Sequence, residues 1–194
     1  MEFHLGKYFA LISVLSEQYF KTMSKLKKLF RYIIYVSLLV FVSGFIIPEN
    51  LKMPVEGAGE KSYDKRSFWY YPWGKSVTHK GVDIFARKGT NVHSATDGLV
   101  LYKGIMGRGG NVILVLGPKW RLHYYAHLSQ FNTTVGSLVS HDDVIGKVGN
   151  TGNAVGKPSH LHYSIMTLFP YPWRADNSHQ GYKKMFYLNP AEYF

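Results

Sequence analysis

Nine histidines and no cysteine in 194 residues narrow the available chemistry at once. Any metal must be held by imidazole and carboxylate, and no disulfide, thiolate site or cysteine nucleophile exists. His79-Lys80-Gly81-Val82-Asp83 sets an imidazole and a carboxylate four residues apart. On a strand an even separation keeps both on one face, and a bend at Gly81 brings them closer. His160-Leu161-His162 points two rings to the same side of one strand, and Tyr125-Ala126-His127-Leu128 adds a histidine at a strand end. A His/Asp/His donor set with one open position is what a catalytic Zn²⁺ requires. Histidines left over beside such a set are suited to moving protons or polarising a carbonyl. Taken singly, the His79/Asp83 spacing also arises by coincidence, and His127 also fits a half-buried strand histidine satisfied by a backbone carbonyl.

The other histidines read differently. His93 follows a Gly-Thr turn and is expected at the surface. His123 shares strand parity with His127 and is expected to line the same groove. His141, in a Ser-His-Asp-Asp turn, and His179, in a polar loop, are expected to be solvated, and His4 precedes the apolar segment described below. Ser140-His141-Asp142 is contiguous and gives no triad geometry. The glycines at 146, 149, 152 and 156 form neither a phosphate loop nor a dinucleotide fingerprint, and no Gly-x-Ser-x-Gly occurs. The aromatic cluster Phe68-Trp69-Tyr70-Tyr71-Trp73 suits either a groove wall or core packing.

Short β-rich runs must carry these residues: 98–102, 111–116, 122–126 and 161–165, separated by Gly107-Arg108-Gly109-Gly110, Gly117-Pro118 and Gly149-Asn150-Thr151-Gly152-Asn153. Strands of this length with this punctuation indicate an all-β domain, an antiparallel β-sandwich or barrel, rather than βαβ units. Tyr163 points away from His162 and is expected to pack.

Residues 32–47 contain no charge, end at Pro48 and follow Lys25, Lys27, Lys28 and Arg31. Sixteen helical residues span about 24 Å, and a snorkelling Arg31 extends the reach to about 28 Å. The run is expected to be a transmembrane anchor or a signal h-region, with residues 1–31 on the cytoplasmic side and everything past Pro48 outside. If Met23 is the true start, residues 1–22 are not translated. Residues 48–67 are polar and read as a linker, leaving 68–194 as the functional domain. The formal net charge of +11 favours an anionic partner. The export signal makes nucleic acid the wrong anion and a cell-wall polymer the better one.

The motifs together resemble those of the lysostaphin-type (LytM-type) zinc metalloendopeptidases of the bacterial cell wall. His79-Lys80-Gly81-Val82-Asp83-Ile84-Phe85-Ala86 with Gly89-Thr90 and Ser94-Ala95-Thr96-Asp97-Gly98 is similar to their first signature, and Tyr124-Tyr125-Ala126-His127-Leu128-Ser129 to their second. Val144-Ile145-Gly146, Gly149-Asn150-Thr151-Gly152-Asn153-Ala154 and His160-Leu161-His162-Tyr163 are similar to their third. The resemblance covers about Phe68 to Ile165. It implies one Zn²⁺ per chain held by His79, Asp83 and His162, with His127 and His160 as catalytic residues beside it. It implies cleavage of peptidoglycan peptide cross-links, either diaminopimelate-type bridges or glycine bridges. Where many relatives carry a glycine-arginine element before the first histidine, this chain has Tyr70-Tyr71-Pro72-Trp73-Gly74-Lys75, which concerns the groove's upper wall. The expected place is the cell envelope: the membrane with a periplasmic or other extracytoplasmic domain, or secretion if the signal is cleaved. The alternative is a non-catalytic family member that binds cell wall or activates a murein amidase.

Overall fold

The computed structural model describes residues 2–194, with side chains from residue 12 onward; Met1 and the His4 side chain lie outside the described residues. Two units emerge, divided after Gly44. The first is a single helix, α1, from Glu2 to Ile46. The sequence reading separated a basic segment, 1–31, from the apolar run; the backbone joins both because no proline interrupts them before Pro48. Tyr32, Ile33, Leu39 and Val40 are all exposed, so the apolar run is not a core helix. The stretch Ile12–Ile46 is long and apolar enough to cross a bilayer.

The second unit, Phe45–Phe194, is built of antiparallel strands. They are β1 (Val82–Phe85), β2 (Asn91–His93), β3 (Gly98–Ile105), β4 (Asn111–Gly117), β5 (Arg121–Ala126), β6 (Gln130–Phe131), β7 (Leu138–Val139), β8 (Val144–Lys147), β9 (His160–Thr167) and β10 (Tyr187–Leu188). The larger sheet has the order β1-β9-β5-β4-β3-β7, with β10 also on β9; the smaller is β2-β8-β6. The path of the larger sheet ends on β1 and β7 and does not close, which corrects the barrel alternative.

Alternation explains the layering. In β4, Ile113 and Val115 point inward and are fully buried, with Leu114 between them less so. They join Val82, Ile84, Leu161, Tyr163 and Ile165 of the same sheet and Val92 and Ile145 of the smaller one in a common core. Each such aliphatic contributes about 1.5–3 kcal/mol. The groove occupies the opposite face of the larger sheet.

Residues 48–67, read as a linker, instead pack on this unit. Val55 is buried and bridges to Val92, and Tyr63 is buried with its hydroxyl donating to the carbonyl of Phe194 at 2.9 Å. The Glu49 carboxylate is buried against Arg121 and lies 3.2 Å from Nε2 of His123. Leu51, Met53 and Ala58 also pack against the core, and the amides of Lys52 and Glu56 donate to the carbonyls of Ala95 and Asn91, contacts that a polar composition does not reveal.

Candidate metal centre and catalytic groove

β1 and β9 pair with Asp83 opposite His162 and Phe85 opposite His160. One face of the two strands therefore presents Asp83, His160 and His162 together. His79 lies just before β1, and the intervening Gly81 brings it in. A Cβ on Gly81 would collide with the carbonyl of Tyr163, the hydroxyl of Ser164 and the His162 ring. Only glycine permits the chain to run that close to β9.

Three donor atoms converge. Nε2 of His79 is 3.0 Å from Oδ1 of Asp83 and 3.1 Å from Nδ1 of His162, and that Nδ1 is 2.8 Å from the same carboxylate oxygen. Among the described residues they form a group able to hold a metal ion. Their partners set the protonation. Nδ1 of His79 faces the carbonyl of Ser67 at 2.9 Å and must donate, which leaves a lone pair on Nε2. Nε2 of His162 lies 3.0 Å from the hydroxyl of Ser164 and donates there when Nδ1 carries the lone pair. Two imidazole lone pairs and a carboxylate oxygen then face one another, an arrangement that a cation resolves. A tetrahedral Zn²⁺ with donors at about 2.0–2.1 Å spaces them about 3.3–3.4 Å apart, so a few tenths of an ångström of relaxation seats it. Burial by itself would raise the pKa of Asp83, but when no cation sits between them the His162 and His79 rings donate to it, and these hydrogen bonds outweigh burial and hold the carboxyl well below the usual range. Burial pushes His162 down, against the pull of Asp83.

His127 and His160 stand beside this group. Their rings are 5.0 Å apart, and His127 is 6.0 Å from the ring of His162. Nδ1 of His127 donates to the carbonyl of Thr151 at 2.9 Å, and Nδ1 of His160 to that of Pro158 at 2.8 Å. Both neutral rings thus keep a lone pair on Nε2. Nε2 of His160 is 3.8 Å from Oδ2 of Asp83. Burial, then the neighbouring His162 and His160, lower the pKa of His127 to about 4. It is therefore neutral well below the ordinary histidine range near about 6.5.

The glycine-rich segment that fits no phosphate loop has a different use here. Thr151 orients His127, and Gly149 accepts a hydrogen bond from the amide of His160 at 3.1 Å. A Cβ on Gly149 would meet the His127 carbonyl at 2.5 Å. The segment holds both histidines at once.

His123 corrects the parity expectation. It lies on the core face, fully buried, with Nδ1 2.7 Å from the hydroxyl of Tyr163. His127 has φ of 65°, and this left-handed turn just past β5 swings its ring to the other face from His123. Strand parity ends where the strand ends. Tyr163 is buried in the core, as expected. The aromatic cluster divides: Trp69 is buried, while Trp73 stacks on His79 with ring centroids 4.1 Å apart and lines the groove. His179 stacks on Tyr71, and His93 and His141 are partly exposed, with Nδ1 toward the carbonyl of Asp142 and the carboxylate of Asp97. Of the residues that orient the four groove histidines, Thr151 lies within the glycine-rich motif, whereas Ser67, Ser164 and Pro158 carry no signal in the sequence: Ser67 and Pro158 act through their carbonyls and Ser164 through its hydroxyl.

The groove has a volume of about 730 Å³. Trp73, Phe85 and Tyr124 form apolar parts of its wall. Lys75, Lys80, Arg108, Lys157 and Lys183 line it too, against Asp83 as the one acid.

Peptidase family M23 matches residues 77–178, just over half the chain. The DD-carboxypeptidase/endopeptidase Mpg of Neisseria meningitidis serogroup B is 40% identical over 85 residues, which cover 44% of this chain and 19% of that protein. Glycyl-glycine endopeptidase ALE-1 of Staphylococcus capitis is 34% identical over 108 residues, covering 53% and 29%. The structure of the antimicrobial peptidase lysostaphin from Staphylococcus simulans superposes with a TM-score of 0.51 at 27% identity, covering 60% of this chain and 48% of that one. The chain spans less than a third of the length of the two curated relatives.

Proposed function

The chain belongs to peptidase family M23, and we propose that it is a zinc-dependent endopeptidase that hydrolyses peptide bonds of bacterial peptidoglycan. The observation that carries this reading is the convergence of His79, Asp83 and His162 on one point at the floor of a groove. These three residues hold one Zn²⁺. When bound, the ion supplies a Lewis acid for the scissile carbonyl and acidifies a water molecule.

The chain's own groups do the rest. Nε2 of His127 or His160 accepts the proton of the attacking water as its oxygen bonds to the carbonyl carbon. The protonated ring then donates to the carbonyl oxygen as it gains charge, or to the nitrogen that leaves when the C–N bond breaks. The carbonyls of Thr151 and Pro158 keep Nδ1 occupied, so that each ring works only through Nε2. Trp73 and Ser67 fix the plane of His79 from two directions. The helix α1 anchors the protein in the membrane or directs its export, with the peptidase unit outside the cytoplasm and facing the wall. Peptidoglycan peptide is the partner, and nucleic acid is not.

The test is digestion of purified peptidoglycan by the full chain in detergent with added zinc, with products weighed by mass spectrometry. New peptide termini that vanish with chelator are expected. Intact substrate at stoichiometric zinc would overturn the enzyme and favour a wall-binding or amidase-activating protein.

A further inference from the structure

Among the described residues, five cations line the groove beside a single carboxylate, and none of them is paired with an acid, whereas several cations outside it are. Lys52 pairs with Asp142, Lys65 with Glu60, Arg121 with Glu49, and Lys184 with Asp176. Among the described residues, Lys75, Lys80, Arg108, Lys157 and Lys183 have no such acidic partner. Lys183 and Lys184 are consecutive in one short 3₁₀ segment, yet Lys184 meets Asp176 while Lys183 faces the groove. The nearest contacts of the others are neutral. Arg108 donates to the hydroxyl of Ser76 at 2.9 Å, and the Lys80 ammonium donates to the carbonyl of that same Ser76 at 3.0 Å and to Thr78. Ser76 thus fastens two like charges beside each other at the rim of the site. Holding them together costs energy that an anion in the groove removes.

We propose that this basic wall is a carboxylate-reading subsite, which selects an acidic, diaminopimelate-type stem peptide over a neutral glycine bridge. The proposal rests on the reading of the groove as a peptidoglycan peptidase site. The relatives named above differ in the bond their names specify, and the groove charge supplies the discrimination in this chain. A glycine bridge offers no charge to five cations, whereas a stem peptide brings free carboxylates within reach of Arg108 and Lys183 while its backbone lies over the metal centre. Arg108 suits a bidentate carboxylate, and Lys183 adds a point charge.

The experiment measures binding by calorimetry on chelator-treated full chain in detergent, where no cleavage interferes. The probes are a cross-linked pair of stem peptides with free carboxylates, the same pair with its side-chain and α-carboxylates amidated, and pentaglycine. The acidic peptide is expected to bind at least about tenfold tighter than its amide, a gap that shrinks with added salt. Arg108→Gln or Lys183→Gln should each narrow the gap by about fivefold, and Lys184→Gln should leave it unchanged. Equal affinity for acid and amide in the wild type, or an unchanged gap in both Arg108→Gln and Lys183→Gln, overturns the subsite. Restoring zinc separates the two readings. Selective binding without cleavage overturns the peptidase and keeps the subsite, whereas equal cleavage of all three probes keeps the peptidase and overturns the subsite.

Discussion

His162 and His123 sit on neighbouring strands of one sheet and face opposite sides of it. His162 on β9 points into the groove, its Nδ1 2.8 Å from the Asp83 carboxylate, its partners arranged to leave lone pairs facing each other. His123 on β5 points into the core, where Tyr163, Glu49 and Arg121 surround it. Burial lowers the pKa of both. Burial and a shifted pKa therefore do not separate a structural histidine from a functional one in this fold. The direction of the partners does: around His123 the Tyr163 hydroxyl stands at Nδ1 and the Glu49 carboxylate 3.2 Å from Nε2, one group for each nitrogen, whereas around His162, His79 and Asp83 the donor atoms converge and leave a place for a cation.

The largest effects should fall on the groove side. His127→Ala and His160→Ala should each lower turnover by about a hundredfold or more while zinc content stays at one per chain. Either variant with wild-type turnover would remove that residue from the chemistry. Next is Gly81→Ala, which tests whether close approach to β9 builds the centre. The added Cβ should cost about 1–3 kcal/mol in denaturant unfolding and weaken zinc binding with it. An unchanged midpoint would mean that His79 reaches the centre by some other backbone route.

A smaller effect should follow loss of a support. Ser164→Ala removes the partner of Nε2 of His162 and should weaken zinc about tenfold, read by competition with a chromogenic chelator. Unchanged affinity would show that the hydroxyl does not set the ring's tautomer. The smallest effect is one of pH on the metal-free protein. The folded-state pKa of His127 is lowered to about 4, below an unfolded value near about 6.5. Between those values the unfolded chain binds a proton that the folded chain does not, so stability falls as pH drops through that window and is unaffected above it. His127→Gln should reduce this dependence in unfolding curves at pH 7 and pH 5, leaving the part that His123 and His162 contribute with the same sign, and an identical slope would contradict the shift.

Local spacing made much of this legible. An even separation within a strand predicts a shared face, and the His160/His162 pair and Asp83 opposite them follow that rule. Runs rich in β-branched residues between glycine turns gave the long strands, with ends moved by a few residues, while two- to four-residue strands such as β6, β7 and β10 left no periodic trace. Prediction failed where one residue's backbone departs from the regular pattern. A left-handed φ at His127 separates it from His123, though parity groups them. Long-range contacts were equally invisible: Glu49, within an apparently polar linker, finds its partners on β5 more than 70 positions away. The unpaired state of the groove cations could not be read either, because a lysine's partner is set by folding and not by its neighbours in sequence.

Zinc content in two single variants tests the central claim most directly. His162→Ala and His123→Ala each remove one imidazole from adjacent strands of the same sheet, and each is measured by elemental analysis on the folded full chain at neutral pH. The account predicts that His162→Ala loses most of its zinc while His123→Ala retains one ion per chain, even though it is less stable. Full zinc occupancy in His162→Ala, or zinc lost from a folded His123→Ala, would contradict it.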